Sequence, residues 1–127
     1  MIQVVCGVVV EGKRVLMAQR SAQMEHPLKW EFPGGKVQDH ESAAEALERE
    51  LLEELKLEIY VIRALTEVVW KYPRREVSLQ PLLCGIRQGK PRAMEHAAII
   101  WCTFEELQKL DILEADVSIV KQIEDVL

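Results

Sequence analysis

Several things are scarce in this chain. Only three of its 127 residues are cysteine (Cys6, Cys84 and Cys102), an odd number, scattered and each set in an apolar run. No CxxC pair or Cys/His cluster is present, so zinc is not indicated, and buried free thiols of a reducing compartment are the expectation. No apolar run approaches ~20 residues, so no membrane span is expected. Basic residues are outnumbered: 16 Lys and Arg stand against 21 Asp and Glu, for a net charge of -5. A nucleic-acid polymer rewards basic patches, so it is not an expected partner. A small anionic substrate fits such a chain only if a cation or a local basic cluster neutralises it. No basic leader precedes the strand-like start Met1-Ile2-Gln3-Val4-Val5, so no signal peptide is expected and the cytoplasm is the expected location. There is no repeat, low-complexity segment or linker, and the length suits one domain over 1–127. What remains is ordinary for a globular protein, at 49% hydrophobic and 29% charged residues.

The local patterns predict elements in order. Residues 2–10 read as a buried strand, Glu11-Gly12-Lys13 as a hairpin turn and 15–20 as the return strand. Residues 21–30 form a polar loop, and Phe32-Pro33-Gly34-Gly35 reads as an extended piece leading into a turn that needs glycine freedom. Ser42 with Glu45 makes a capping box, opening a helix from Ala43 to about Leu55 with Leu47, Leu51 and Leu55 as its apolar stripe. Residues 58–70 read as one strand and 76–86 as another, where Pro81 suggests an edge or a bulge. Residues 97–102 read as a buried strand. Thr103 with Glu106 caps a short helix to about Leu110, and a last helix begins near Asp116 with Ile119, Ile123 and Val126 as its stripe. Strands, a helix, strands and a helical tail argue an α+β fold, a mixed sheet sandwiched between helices.

The chemistry concentrates between Glu31 and Leu57. Glu50 and Glu54 lie four apart and Glu50 and Glu53 three apart, so all three share a helix face. Like charges there repel unless something offsets them. A solvated face with Arg49 as neighbour is one reading. A bound divalent cation is the other, because carboxylate oxygens suit magnesium or manganese.

Gly35, Glu41 and the run Arg49-Glu50-Leu51-x-Glu53-Glu54 closely resemble the Nudix box of nucleoside-diphosphate-linked hydrolases, with Lys56 where the box expects glycine. Beyond the box the chain resembles the MutT-like nucleoside triphosphate pyrophosphohydrolases, through Glu31-Phe32-Pro33-Gly34-Gly35-Lys36 and Tyr72-Pro73. Glu95-His96 and Trp101-Cys102 followed by Glu105-Glu106 are similar to relatives that hydrolyse cytidine nucleotides. The resemblance implies a Nudix fold and a Mg2+ cofactor (Mn2+ as alternative). Glu53 and Glu54 would be the main metal ligands, with Glu50, the Gly34 carbonyl and the loop residue Glu95 adding to them, Glu95 as a further ligand or general base. Arg49 would orient carboxylates and Glu41 would tie the loop to the helix. Arg20 matches a base- or phosphate-contacting arginine, and Phe32 and Tyr72 match residues packed near the base. Arg74, Arg75, Lys90 and Arg92 are candidates for the triphosphate.

Asp116 stands where the MutT purine enzyme carries an asparagine bonded to the base. An ionised aspartate only accepts, which suits the amino group of cytosine or the amino and N1–H edge of guanine. A helix N-cap is the other, compatible role. The implied activity is conversion of a nucleoside triphosphate to a monophosphate and pyrophosphate, in nucleotide-pool sanitation, with 8-oxo-dGTP leading. CTP, dCTP or 5-methyl-dCTP is the alternative substrate, and a non-hydrolysing nucleotide sensor the alternative of another class. A monomer is expected. A non-glycine at Lys56 costs roughly 1 kcal/mol in the left-handed conformation, so a slightly different helix end is expected.

Overall fold

The first strand, β1 (Ile2–Glu11), is the axis of the molecule. Its near-continuous valines suit a strand covered on both faces, and the two faces do feed two cores. Val5 and Val9 pack with the helix residues Leu47, Leu51 and Leu55. Cys6 and Val8 pack on the opposite side with Leu107, Ile119 and Ile123. The computed structural model describes all residues 1–127.

Gly12, at φ 61°, turns the chain into β2 (Arg14–Gln19), antiparallel to β1. The short β3 (Trp30–Glu31) pairs with β2, and β4 (Gly34–Lys36) pairs with β1. Helix α1 (Ala43–Leu55) follows, with both bonds of the Ser42/Glu45 capping box formed. Then come β5 (Glu58–Ala64), β6 (Val68–Tyr72), β7 (Arg75–Gln88) and β8 (Ala98–Cys102). The strand β7 runs parallel to β1 while all other pairings are antiparallel. The chain ends in α2 (Phe104–Leu107), capped by Thr103, and α3 (Val117–Val120). With α1 on one face and α2 and α3 on the other, the result is a mixed sheet between helices.

Four expectations change. Residues 58–70 are two strands, not one, because the sheet breaks at Leu65, whose N–H bonds the Pro81 carbonyl at 2.9 Å. Pro81 is accordingly in a central strand rather than at an edge. N–H and C=O of one strand residue point to the same side, so its missing donor faces that break and removes no bond to β1. The last helix is shorter than expected: α3 is one turn, flanked by 3-10 turns at 114–116 and 124–126, although Ile119 and Ile123 are buried as its stripe predicts. Lys56 adopts φ 55° and ψ 36°, the left-handed end expected of a glycine, and its N–H reaches Leu51 and Leu52 carbonyls. The helix end is therefore kept and the strain tolerated.

Candidate active site

The two adjacent glycines of β4 have no positive φ. They are required for close approach, not for a turn. A Cβ at Gly34 would stand 2.0 Å from the Val5 carbonyl oxygen, and one at Gly35 would stand 2.4 Å from the Glu50 carboxyl carbon. The bare backbone of β4 thus lets α1 lay an acidic residue directly against the sheet.

Arg49 organises that face. Its Nε and Nη2 donate to Glu41 at 2.7 and 2.9 Å, Nη1 donates to Glu50 at 2.9 Å, and Nη2 also reaches the Lys36 carbonyl at 3.1 Å. Glu53 lies 3.6 Å from Nη1 but is largely exposed, at 59%. The hydrogen bonds from Arg49, then that from the Gln38 N–H, hold the Glu41 carboxyl down at about 2. The bidentate pair with Glu41 and the bond to Glu50 are charge-assisted and fix the Arg49 guanidinium between the loop and the helix.

Glu54 has no such partner. Its Oε2 is buried and makes no hydrogen bond. Burial first, then the charges of Glu50, Glu31 and Glu95, push its carboxyl up to about 9. A carboxylate oxygen held bare in a negatively charged environment is a poor place for an anion and a good one for a cation. The residues present fit a hard divalent ion: Glu54 and Glu50, with the Gly34 carbonyl beside them. They do not form a closed cage. No three His, Cys, Asp or Glu side chains are arranged to hold an ion by themselves. Glu53 and Glu95 are exposed at the rim and do not join Glu50 and Glu54 at one point. Magnesium binding is compatible with so open a set, since that ion keeps waters and shares itself with phosphates.

A cleft of about 220 Å³ is lined by Glu54 and the Gly34–Gly35 backbone together with Asp116, Arg20, Glu31, Phe32, Tyr72 and His96. Asp116 sits just before α3 yet makes no cap bond. Its Oδ2 instead accepts the Phe32 N–H at 2.8 Å, and the residue is 4% exposed. Burial pushes its carboxyl up to about 8, against the lowering effect of that N–H. An ionised carboxyl there only accepts, while a protonated one also donates, so the raised value adds a second hydrogen-bonding mode to the acceptor expected of Asp116. Phe32 is buried in the core while its N–H fixes Asp116. Tyr72 stacks on His26 at 5.2 Å between centroids and lies under the Arg75 guanidinium at 5.9 Å. Arg75 also pairs with Glu25 at 2.7 Å. Arg74, Lys90 and Arg92 are exposed or peripheral and do not line the cleft.

The structure thus gathers Gly34, Glu54, Arg20, Phe32, Tyr72 and Asp116 around one cleft, places Arg49 and Glu50 at its edge, and leaves Glu53 and Glu95 outside. Two residues that carried no assigned role join it: Glu31 bonds both Arg20, at 2.7 Å, and His96, at 2.9 Å. The Glu95-His96 pair was the only local signal, and the 65 residues from Glu31 to His96 hid their contact. The loop bearing both is anchored to the end of α1, where the Arg92 and Met94 N–H groups bond the Leu55 and Glu54 carbonyls at 2.8 and 3.1 Å.

The profile of the NUDIX domain matches residues 1–123. The chain belongs to this family. It is a Nudix hydrolase, and its mixed sheet with helices on both faces is the Nudix fold. It is 35% identical over 121 residues to the CTP pyrophosphohydrolase of Escherichia coli (strain K12), covering 95% of this chain and 90% of that one. It is 39% identical over 114 residues to the putative 8-oxo-dGTP diphosphatase 2 of Mycobacterium tuberculosis (strain ATCC 25618 / H37Rv), covering 89% and 81%. The solution structure of the E. coli ORF135 protein superposes with a TM-score of 0.86 at 33% identity, over 99% of this chain and 90% of that one. No helix of this Nudix hydrolase is long and apolar enough to cross a membrane.

Proposed function

We propose that this Nudix hydrolase is a divalent-cation-dependent nucleoside triphosphate pyrophosphohydrolase that serves to sanitise the nucleotide pool, with 8-oxo-dGTP as its leading substrate. Water forms a new bond to phosphorus, a phosphoanhydride bond breaks, and a nucleoside monophosphate and pyrophosphate leave. The observation that carries this reading is one cleft with two unlike ends. At one end stands the bare, buried carboxyl of Glu54 against the Gly34–Gly35 backbone. At the other stands Asp116, its free oxygen presented beside Phe32 and Tyr72.

Glu54, Glu50 and the Gly34 carbonyl would hold Mg2+, or Mn2+, with Glu53 and Glu95 contributing from the rim. Such an ion, when bound, neutralises triphosphate oxygens and makes water a better nucleophile. The chain's own residues do the rest. Arg49 fixes Glu50 in place; Arg20 and Arg75 offer positive charge along the cleft; Phe32 and Tyr72 flank the base and exclude water from it. The Asp116 Oδ1, when it carries the proton, donates to a carbonyl such as guanine O6, and without it accepts from an amino or ring N–H. Glu95 is a candidate general base from its loop.

A second reading takes cytidine nucleotides. It is supported by the 35% identity across nearly the whole chain to a relative named CTP pyrophosphohydrolase, and the same Asp116 oxygen suits the N3 and amino edge of cytosine. We further place the protein in the cytoplasm as a monomer acting on free nucleotides, a reading supported by the net charge of -5 and three buried free cysteines. The test is pyrophosphate release with Mg2+ from 8-oxo-dGTP, dGTP, CTP, dCTP and 5-methyl-dCTP, beside Glu54→Gln. The reading expects 8-oxo-dGTP to lead in kcat/KM and the variant to lose most of its activity. A lead by the cytidine nucleotides transfers the role to the second reading. No turnover of any triphosphate removes the substrate class.

A further inference from the structure

Glu31 lines the cleft, and each of its oxygens has a fixed partner. Oε1 accepts from Arg20 Nη1 at 2.7 Å and Oε2 faces His96 Nε2 at 2.9 Å. Arg20 is in turn held by its Nε, which donates to the Glu25 carbonyl at 2.6 Å. Glu31 is therefore braced from two sides. The His96 side chain is the most deeply buried of the three, 2% exposed against 14% for Glu31 and 20% for Arg20.

His96 Nδ1 is different. It lies buried and makes no hydrogen bond, a state that among side-chain polar atoms it shares only with Glu54 Oε2 and Ser118 Oγ. Native proteins leave few buried polar atoms without a partner, and each one calls for an explanation. His96 lines the same cleft as Glu54 and Asp116, so two of the three orphaned atoms belong to the candidate site. A neutral imidazole that donates through Nε2 to a carboxylate carries a lone pair on Nδ1. In that tautomer what is missing at Nδ1 is a donor.

Position suggests which donor. A nucleotide with its phosphates at Glu54 and its base at Asp116 has its sugar between them. Glu31 is within electrostatic reach of both ends, and His96 is bonded to Glu31. The sugar brings hydroxyl groups and no charge, which matches a single neutral acceptor. We propose that His96 reads the sugar of the bound nucleotide: Nε2–H braces Glu31 against Arg20 while Nδ1 accepts a hydrogen bond from a sugar hydroxyl. His96 is thus a specificity residue through one nitrogen and a positioning residue through the other. The inference rests on the nucleoside triphosphate reading above.

The test compares wild type with His96→Asn, His96→Gln and His96→Ala, using the matched sets CTP, dCTP and ddCTP, and GTP, dGTP and ddGTP, with Mg2+. Asparagine keeps an acceptor near the Nδ1 position but does not reach Glu31. Glutamine keeps a donor to Glu31 but loses the acceptor. Loss of one hydrogen bond lowers kcat/KM about three- to tenfold. Wild type should show that penalty, mainly in KM, at the step of the series that removes the hydroxyl being read. The penalty should persist in the asparagine variant and vanish in the glutamine and alanine variants. Of the three variants, glutamine should lose least in kcat, because it alone keeps a donor to Glu31. Nitrogen NMR of histidine-labelled wild-type protein gives a readout independent of turnover. Free protein should show Nε2 protonated and Nδ1 bare, and addition of dCMP or dGMP without metal should move the Nδ1 resonance.

A hydroxyl penalty equal in wild type and alanine variant overturns the inference while leaving the triphosphate reading intact. So does a free-state spectrum with both nitrogens protonated, or an Nδ1 resonance that ignores a bound monophosphate. If no triphosphate is turned over and no monophosphate binds, both the reading and the inference fall.

Discussion

Replacing Asp116 by asparagine isolates the electrostatics of the cleft floor. The two side chains have the same shape, and an asparagine carbonyl can still accept the Phe32 N–H that now reaches Oδ2 at 2.8 Å. They differ in one titration. Burial raises the Asp116 carboxyl from 3.8 to about 8. The folded protein therefore binds a proton that the unfolded chain has already released, throughout the interval between those values. By linkage, stability falls as pH rises across that interval and is level above it. At 1.36 kcal/mol per unit the wild type loses up to about 4 kcal/mol between pH 5 and pH 8 from this group. Relaxation and water in the cleft reduce the figure, and half of it is about 2 kcal/mol, or about 8 °C in Tm for a domain of this size. Asparagine does not titrate, so its variant escapes the loss. Thermal unfolding of both proteins at pH 5 and pH 8 should show the variant gaining on wild type by about that amount at the higher pH. Every other group titrates in both proteins and cancels. A Tm difference equal at the two pH values refutes the reasoning, because Asp116 would then ionise as an ordinary carboxylate.

Glu54→Gln should uncouple stability from activity. Removing a crowded buried carboxyl should raise the Tm of metal-free protein, more at pH 8 than at pH 5 because the wild-type group is raised to about 9. The same change should lower kcat/KM by roughly a hundredfold and abolish the Tm increase that Mg2+ gives wild type. The two glycines of β4 should fail differently. Gly34→Ala meets backbone at 2.0 Å and should destabilise the fold by about 3 kcal/mol, whereas Gly35→Ala meets the movable Glu50 side chain at 2.4 Å and should mainly weaken Mg2+ affinity, as calorimetry would show. Arg49→Ala should reduce kcat roughly tenfold with little change in KM, since it positions Glu50 and lies outside the cleft. Lys56→Gly should relieve the left-handed residue and raise Tm by a few degrees, about 0.5–1 kcal/mol, with unchanged activity.

What was legible in the sequence was what short-range physics controls. The capping boxes at Ser42 and Thr103 act over three residues, and both form. The leucine stripe of α1 and the spacing of Glu50, Glu53 and Glu54 follow from the pitch of a helix, so the core side and the acidic side could be read directly. The family followed from the same spacing joined to Gly35 and Glu41. The near-continuous valines of β1 likewise marked it as a buried strand.

Tertiary structure decided everything that depends on which distant groups meet. Gly34 and Gly35 read as a turn because glycine freedom is a local property; only the approach of β1 and α1 shows that the missing Cβ atoms are the reason. The break after Ala64 falls beside Pro81 of another strand, whose carbonyl takes the Leu65 N–H. The burial of Asp116 and its bond from the Phe32 N–H could not be read locally, because Phe32 lies 84 residues away. The acidic face of α1 pointed to a cation, but the fold alone separated its members, burying Glu54 while leaving Glu53 in solvent beside Arg49. The brace of Arg20, Glu31 and His96 belongs to no local pattern, since a hydrogen bond across 65 residues exists only once the sheet has brought its ends together.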